Sequence, residues 1–237
     1  MNNLERKIPK HLGIILDGNG RWAQNRGLKR TEGHKVGAER AIEIAKVCQR
    51  LGVKYLSIYV FSTENWKRPK SEVSRIMELL NIFIENNLEE LMERNVKINI
   101  MGDIKGLPYI NRKVVNYRVN KTKNNDGLVF NIGLNYGGRK ELVYAFENIL
   151  EEIKKGEVSK IDEDLIYKNL YTGDFPELDL LIRTGGEKRI SNFMIYQIAY
   201  TELYFTDVLW PDFNEEELIK AFDDFTSRDR RYGGINE

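Results

Sequence analysis

Much of what would assign this chain quickly is missing from it. One cysteine, Cys48, in 237 residues excludes an intramolecular disulfide framework and fits a reducing cytosol. No apolar run approaches the about 20 residues needed to cross a bilayer, and the opening MNNLERKIPKH lacks the apolar core of a secretion signal. A cytoplasmic protein is therefore expected. Net charge is scarce too: 37 Lys plus Arg against 36 Asp plus Glu leave +1, which disfavours a generally basic nucleic-acid binder. No Pro/Gly/Ser-rich linker, low-complexity stretch or internal repeat divides the chain, so one domain with a sizeable core is expected. GxxxxGK[ST], HExxH, CxxC and GxSxG are all absent, removing the common phosphate-loop, metalloprotease, thiol-redox and serine-hydrolase readings.

What is present is organised around residues 11–37, HLGIILDGNGRWAQNRGLKRTEGHKVG. Leu12 to Leu16 reads as a buried strand ending in Asp17-Gly18-Asn19-Gly20-Arg21. Two glycines around an Asn predict a turn whose N–H groups converge on a ligand without Cβ atoms in the way. An acid leads that turn, and Arg21, Arg26, Lys29, Arg30, His34 and Lys35 follow it. Carboxylate, bare amides and cations together suit a diphosphate with a divalent metal; a strand-to-helix turn with a solvated basic helix is the plainer alternative.

Further along, Val36–Leu51 predicts a helix ended by Gly52, and Tyr55–Phe61 a strand rich in aromatic and β-branched residues. That strand runs into Ser62-Thr63-Glu64-Asn65-Trp66-Lys67-Arg68-Pro69. Ser71–Asn95 predicts the longest helix, capped by Ser71. Strands follow at Val96–Met101, Leu128–Leu134 and Leu178–Ile182, with a last one near Leu203–Thr206; helices are expected at 109–125, after the turn Asn135-Tyr136-Gly137-Gly138-Arg139 and ending near Lys155, and over Glu215–Ser227. Strands alternating with helices imply an α/β fold: a largely parallel six-stranded sheet flanked by helices. Ligands of such sheets sit beyond the carboxyl ends of strands, where the polar loops after the first, second and fifth strands fall together.

Those loops bring Asp17, Arg21, Arg30, Arg183, Arg189 and Ser191 to one rim, and guanidinium forks suit phosphate oxygens. Two such clusters suggest two phosphorylated substrates. Glu202 lies further on and is either a second carboxylate for the metal or a surface acid. His34 is ambiguous between ligand contact and capping, and Trp66 between packing anchor and apolar lid. The competing reading is a dinucleotide-binding oxidoreductase using Gly18-x-Gly20-x-x-Ala23 with Glu39 on the ribose. Against it, Asp17 and Arg21-Trp22 crowd and oppose a pyrophosphate bound without metal. The DDxxD pattern of all-helical trans-prenyltransferases is missing as well; Asp223-Asp224 lacks the later acid.

HLGIILDGNGRWA, GHKVGAER, FSTENWKRP, LNYGGR, LIRTGGEKRISNF, QIAYTEL and the terminal RDRRYGG together resemble the cis-prenyltransferase family, in constant order from about residue 10 to 234. The resemblance implies Mg2+-dependent addition of isopentenyl diphosphate to an allylic diphosphate, usually farnesyl diphosphate. It implies a long cis-polyprenyl diphosphate product, undecaprenyl diphosphate being the expected lipid carrier for cell-wall glycans. It also implies a homodimer, with a transient contact at the inner face of the membrane for product release. By position it makes Asp17 the metal-directing acid and Glu202 the second metal ligand. Gly18, Asn19, Gly20, Arg21, Trp22, Arg30 and Arg68 would hold the allylic diphosphate; Arg183, Arg189, Ile190 and Ser191 would hold isopentenyl diphosphate. Ser62, Thr63, Glu64, Trp66 and His34 fall around the reacting centre, with Asn65 at a position assigned to proton removal, where a neutral amide is better suited to orienting a diphosphate oxygen or water. Residues 1–10 read as an N-terminal extension, and 228–237, with Arg231-Tyr232-Gly233, as a segment reaching the neighbouring subunit's site. Lys188, Gly185 and Glu32 depart from the family pattern, where His, Ser and an aromatic are common. A non-catalytic partner subunit would be expected to lack the Asp17–Arg21 set, which is intact. An apolar tunnel for the growing chain is expected along the 71–95 helix and the strand carrying Ile98 and Ile100.

Overall fold

The computed structural model describes residues 6–228, without the side chains of 83–85; the Arg231-Tyr232-Gly233 motif lies outside that range. Six strands form one all-parallel sheet in the order β3-β4-β2-β1-β5-β6. They are β1 (His11–Ile15), β2 (Tyr55–Ser62), β3 (Lys97–Met101), β4 (Val129–Tyr136), β5 (Leu180–Arg183) and β6 (Glu202–Phe205). The helices are α1 (Asn19–Gln24), α2 (Arg30–Leu51), α3 (Lys70–Glu93), α4 (Tyr109–Thr122), α5 (Gly138–Lys154), α6 (Glu163–Lys168) and α7 (Glu215–Ser227). From β1 the chain crosses to β2 on one side, and from β5 to β6 on the other. The loops after β1 and β5 therefore diverge from neighbouring strands, which opens a crevice at their carboxyl ends.

Because strand side chains alternate, the sheet has two different faces. Leu12, Ile14, Leu56, Ile58, Ile98, Ile100, Phe130, Ile132, Leu180 and Ile182 point to one side and join α2, α3, α4 and α7 residues in the main core. The other side carries a smaller core of Ile15, Met101, Tyr136, Leu181 and Phe193. It also carries a hydrogen-bonded ladder across the strands, Asn99–Asn131–Ser57–His11 at 2.8–2.9 Å per link. Burial pushes the His11 imidazole down to about 4, so its ring is neutral within that ladder.

Three local readings differ from sequence expectation. The Asp17–Arg21 turn goes straight into α1, with Gly18 at φ +111° as its N-cap, a conformation that glycine adopts without strain. Helix α2 starts at Arg30, six residues before Val36, because Gly33 and Gly37 let it lie against α1. A Cβ at either would stand 1.9 Å from an Asn19 oxygen. Helix α3 is capped by Pro69 rather than Ser71: the carbonyl of Pro69 accepts from Glu72 and Val73 N–H, and Ser71 falls inside the first turn.

Candidate active site

The crevice is the mouth of a cavity of about 700 Å³, within the range of small-molecule sites. Its floor and inner walls are apolar: Ala38 and Ala41 from α2, Ile58 and Val60 from β2, Ile76, Leu79 and Leu80 from α3, and Ile132 from β4. Ile98 and Ile100 belong to the core instead, because β3 is the edge strand and β4 stands between it and the cavity. The predicted wall is thus corrected from β3 to β2 and β4, with α3 retained.

The mouth is charged. Asp17 accepts from Arg183 Nη2 at 2.8 Å on one oxygen and from Arg21 Nη2 at 3.2 Å on the other. Thr184 fixes the backbone beneath it, donating from its hydroxyl to the Asp17 carbonyl at 2.7 Å. Arg183 is only 4% exposed and donates further to Ser191 Oγ at 2.7 Å and to the Arg189 carbonyl. Its guanidinium is set in place before any ligand arrives. Gly185, at φ +82°, passes beneath this pair; a Cβ there would lie 2.7 Å from Arg21 Nη2. The residue that departs from the family pattern thus suits its own backbone.

On the opposite lip two arginines and a histidine gather around one acid. Glu72 Oε1 accepts from Arg68 Nη1 at 3.0 Å and lies 3.9 Å from Arg30 and 3.6 Å from His34 Nε2. Gly20 makes room for Arg30, since a Cβ would fall 2.7 Å from its guanidinium carbon. Burial first, and Arg68 second, hold His34 below the ordinary imidazole range against the raising pull of Glu72. The ring is therefore neutral near pH 7, and its Nε2 is buried without a hydrogen-bond partner.

The segment Thr63–Lys67 forms a single 3-10 turn closed by a reciprocal cap, in which Asn65 Oδ1 accepts from Ser62 N–H at 3.1 Å. With the oxygen turned to the cap, the Asn65 NH2 is the part of the amide suited to face the cavity the residue lines. Burial raises the Glu64 carboxyl, but hydrogen bonds, led by that from Asn192 at 3.0 Å, bring it below the ordinary carboxylate range.

Gly18, Asn19, Gly20, Arg21, Arg30, His34, Ser62, Glu64, Asn65, Arg68, Arg183, Arg189 and Ser191 all line the cavity with Asp17. Five predicted residues are turned elsewhere. Trp22 donates its indole N–H to Asp212 at 2.7 Å under Arg26. Trp66 donates to Asn135 at 2.7 Å and meets Phe61 edge-on, so it is a packing anchor. Thr63 stands against Gly137, and Ile190 packs on the smaller core. Glu202 opens β6 beside Leu180, at the amino end of the sheet, and pairs with Arg228 at 2.8 Å. Strand rise and spacing put it roughly 15 Å or more from Asp17, so within one chain the two acids do not share an ion. Lys188 is exposed away from the cavity, and Glu32 is exposed in the first turn of α2, where its charge suits the helix N-terminus. Glu39 lies exposed in the middle of α2, not at the end of β2, which removes the dinucleotide reading. Sequence reasoning missed Glu72, Thr184 and Asn192. Glu72 was visible four residues after Arg68, and Asn192 in a Ser-Asn pair suited to the left-handed backbone both adopt.

Comparison with known proteins agrees with this geometry. Residues 15–233 match the family model described as putative undecaprenyl diphosphate synthase. The isoprenyl transferase of Clostridium perfringens is 47% identical over 234 residues, 98% of this chain and 92% of that one. The isoprenyl transferase of Bacillus subtilis is 47% identical over 234 residues, covering 98% and 90%. Among solved structures, lavandulyl diphosphate synthase from Lavandula x intermedia, in complex with dimethylallyl diphosphate, superposes with a TM-score of 0.93 at 34% identity over 96% of this chain and 99% of that one. A probable undecaprenyl diphosphate synthase from Campylobacter jejuni gives 0.80 at 33% identity over 99% and 100%. A cation-lined mouth over a hydrocarbon-lined cavity, on this sheet and with these relatives, makes the chain an enzyme of the undecaprenyl diphosphate synthase family of isoprenyl transferases.

Proposed function

We propose that the enzyme condenses isopentenyl diphosphate with an allylic diphosphate, farnesyl diphosphate first, and repeats the addition to build undecaprenyl diphosphate. The observation that carries this reading is Asp17 held between Arg21 and Arg183 at the charged mouth of an apolar cavity. Arg21, Arg30 and Arg68 grip the allylic diphosphate, while Arg183, Arg189 and Ser191 grip that of isopentenyl diphosphate. The allylic C–O bond breaks with diphosphate leaving, the new carbon–carbon bond forms, and one proton departs. Asn65, with its oxygen turned to the Ser62 N–H, donates from its NH2 to orient a diphosphate oxygen that takes the proton. The relative solved with dimethylallyl diphosphate, itself an allylic diphosphate, supports the substrate class.

The described residues hold no cluster of three potential metal ligands. A lone carboxylate nonetheless fits Mg2+, which takes one or two carboxylates and completes its shell with substrate phosphates and water. Asp17 keeps lone pairs for it beyond those its two arginines occupy. When bound, the ion supplies neutralisation of the leaving diphosphate.

The apolar walls suit the growing chain. At about 0.8 kcal/mol per buried CH₂, each five-carbon unit adds up to about 4 kcal/mol of binding, so release of long product limits turnover. The outer side of α5 presents Val143, Phe146, Leu150 and Ile153 to solvent in one stripe, which supports a homodimer.

Labelled isopentenyl diphosphate with farnesyl diphosphate, with and without Mg2+, and products resolved by chain length, tests the proposal. Label should enter a long ladder only with Mg2+, faster in detergent. Incorporation that ignores the metal, or a product that stops after one addition, would overturn the mechanism or the product respectively.

A further inference from the structure

Helix α4 carries a patterned surface that the cavity does not use. From Ile104 to Asn125 the chain has six Lys or Arg and no Asp or Glu, a local bias in a chain of net charge +1. One side of the helix is fastened to the body: Asn111 donates to the Met77 carbonyl at 2.9 Å and to Asn81 at 3.1 Å, and Thr122 Oγ1 accepts from Ile98 N–H at 3.0 Å. The other side exposes Tyr109, Lys113, Tyr117 and Lys121, four residues apart and hence in one row. Lys113 Nζ sits 4.6 Å from the Tyr109 ring centroid and Lys121 Nζ 5.5 Å from that of Tyr117. Beside the row, Ile110 is 69% exposed, the highest value for a large apolar side chain among the described residues.

Rings with a wet phenol end, flexible cations with hydrocarbon stems and a bare isoleucine are the composition of a helix lying at a lipid interface. The α5 stripe differs: Val143, Phe146, Leu150 and Ile153 follow one another without a cation between them, Arg139 and Lys154 standing only at its ends, which is the chemistry of a protein contact. We propose that the outer face of α4 docks the enzyme on an anionic lipid bilayer. Its cations meet the acidic headgroups, and the rings and Ile110 enter the headgroup boundary. Helix α4 packs on α3, whose Ile76, Leu79 and Leu80 wall the cavity, so the bilayer lies one helix layer from the hydrocarbon channel. RNA would meet the same cations but would leave Ile110 without a partner. The purpose of docking rests on the proposed lipid product, whereas the binding itself requires no catalysis.

Flotation of the full chain with phosphatidylcholine vesicles, with and without phosphatidylglycerol, tests this. Binding should require phosphatidylglycerol and weaken with salt. Lys113→Ala/Lys121→Ala should lower it about thirtyfold, from the contribution of each cation at an anionic surface, and Tyr109→Ala/Tyr117→Ala should lower it as well. Lys160→Ala/Lys168→Ala, the same charge change on exposed sites elsewhere, should leave it unchanged. Melting temperature and turnover in detergent should match the wild type in every variant. Absence of binding to the acidic vesicles, equal loss in the Lys160/Lys168 control, or preference for RNA over vesicles would overturn the proposal. Vesicle binding by an enzyme that fails to condense isopentenyl diphosphate would overturn the functional reading and leave the docking surface standing.

Discussion

The two lips of the cavity use the same residue type in opposite environments. Arg183 lies beneath the surface, fixed by Asp17, Ser191 and the Arg189 carbonyl. Arg30 and Arg68 stand 49% and 36% exposed and lean on one shared carboxylate, Glu72. A buried guanidinium whose two terminal nitrogens are both hydrogen-bonded is preorganised for phosphate, and salt screens it little. Exposed guanidiniums around a shared acid exchange partners at small cost and are screened strongly. One lip is therefore a fixed seat. The other is an adjustable clamp, suited to a substrate whose tail grows at every cycle.

The largest effect that would break this contrast lies at its hinge, Asp17. Asp17→Asn keeps the shape and removes the charge, and should lower kcat by about 10² to 10³-fold with the melting curve close to wild type. A mild loss in the incorporation assay would mean that the fixed seat does not organise the chemistry. Next, Arg183→Lys and Arg30→Lys compare the lips directly. Losing a buried bidentate fork should cost about a hundredfold in kcat/KM for isopentenyl diphosphate, while the exposed position should cost about tenfold, seen in KM for the allylic diphosphate. Equal losses, or equal salt dependence in steady-state kinetics, would erase the distinction.

The smallest effect, and the sharpest, is Glu72→Gln. Releasing Arg30 and Arg68 should tighten the allylic diphosphate a few-fold at low salt, read from its KM. It also removes the group that raises His34, so the imidazole pKa should fall further below its ordinary value, followed by NMR titration. The sign of the pH effect on stability follows. His34 is depressed in the folded state, so its contribution is complete above the ordinary imidazole range and is lost as pH falls through the folded value. Chemical denaturation of Glu72→Gln should show that loss beginning at the same upper pH and extending lower than in wild type.

Local signals carried far. Alternating apolar residues and glycine-bounded turns made the strands and the parallel α/β order legible, and Glu215–Ser227 forms the helix its pattern predicts. The chemistry of the mouth was legible too, because polar residues placed just after parallel strands fall on one edge whatever the packing. Where each side chain points was not. Trp22 turns away from the cavity because its N–H finds Asp212, 190 residues distant, and Trp66 because Asn135 accepts from it. Glu202 carries a usable signal of its own: a residue opening a parallel strand belongs to the amino edge, away from the site.

The sequence by itself thus determined the six strands, the longer helices and which loop chemistry meets at the rim, since these depend on neighbours along the chain; the short helices α1 and α6 were not legible in it. Only the tertiary structure decided that β2 and β4 rather than β3 wall the channel, that Arg183 is buried while Arg30 and Arg68 are not, and that Glu202 lies far from Asp17. Those outcomes turn on strand order and on partners supplied from distant parts of the chain, and burial, which sets what a charge is worth, exists only once they have met.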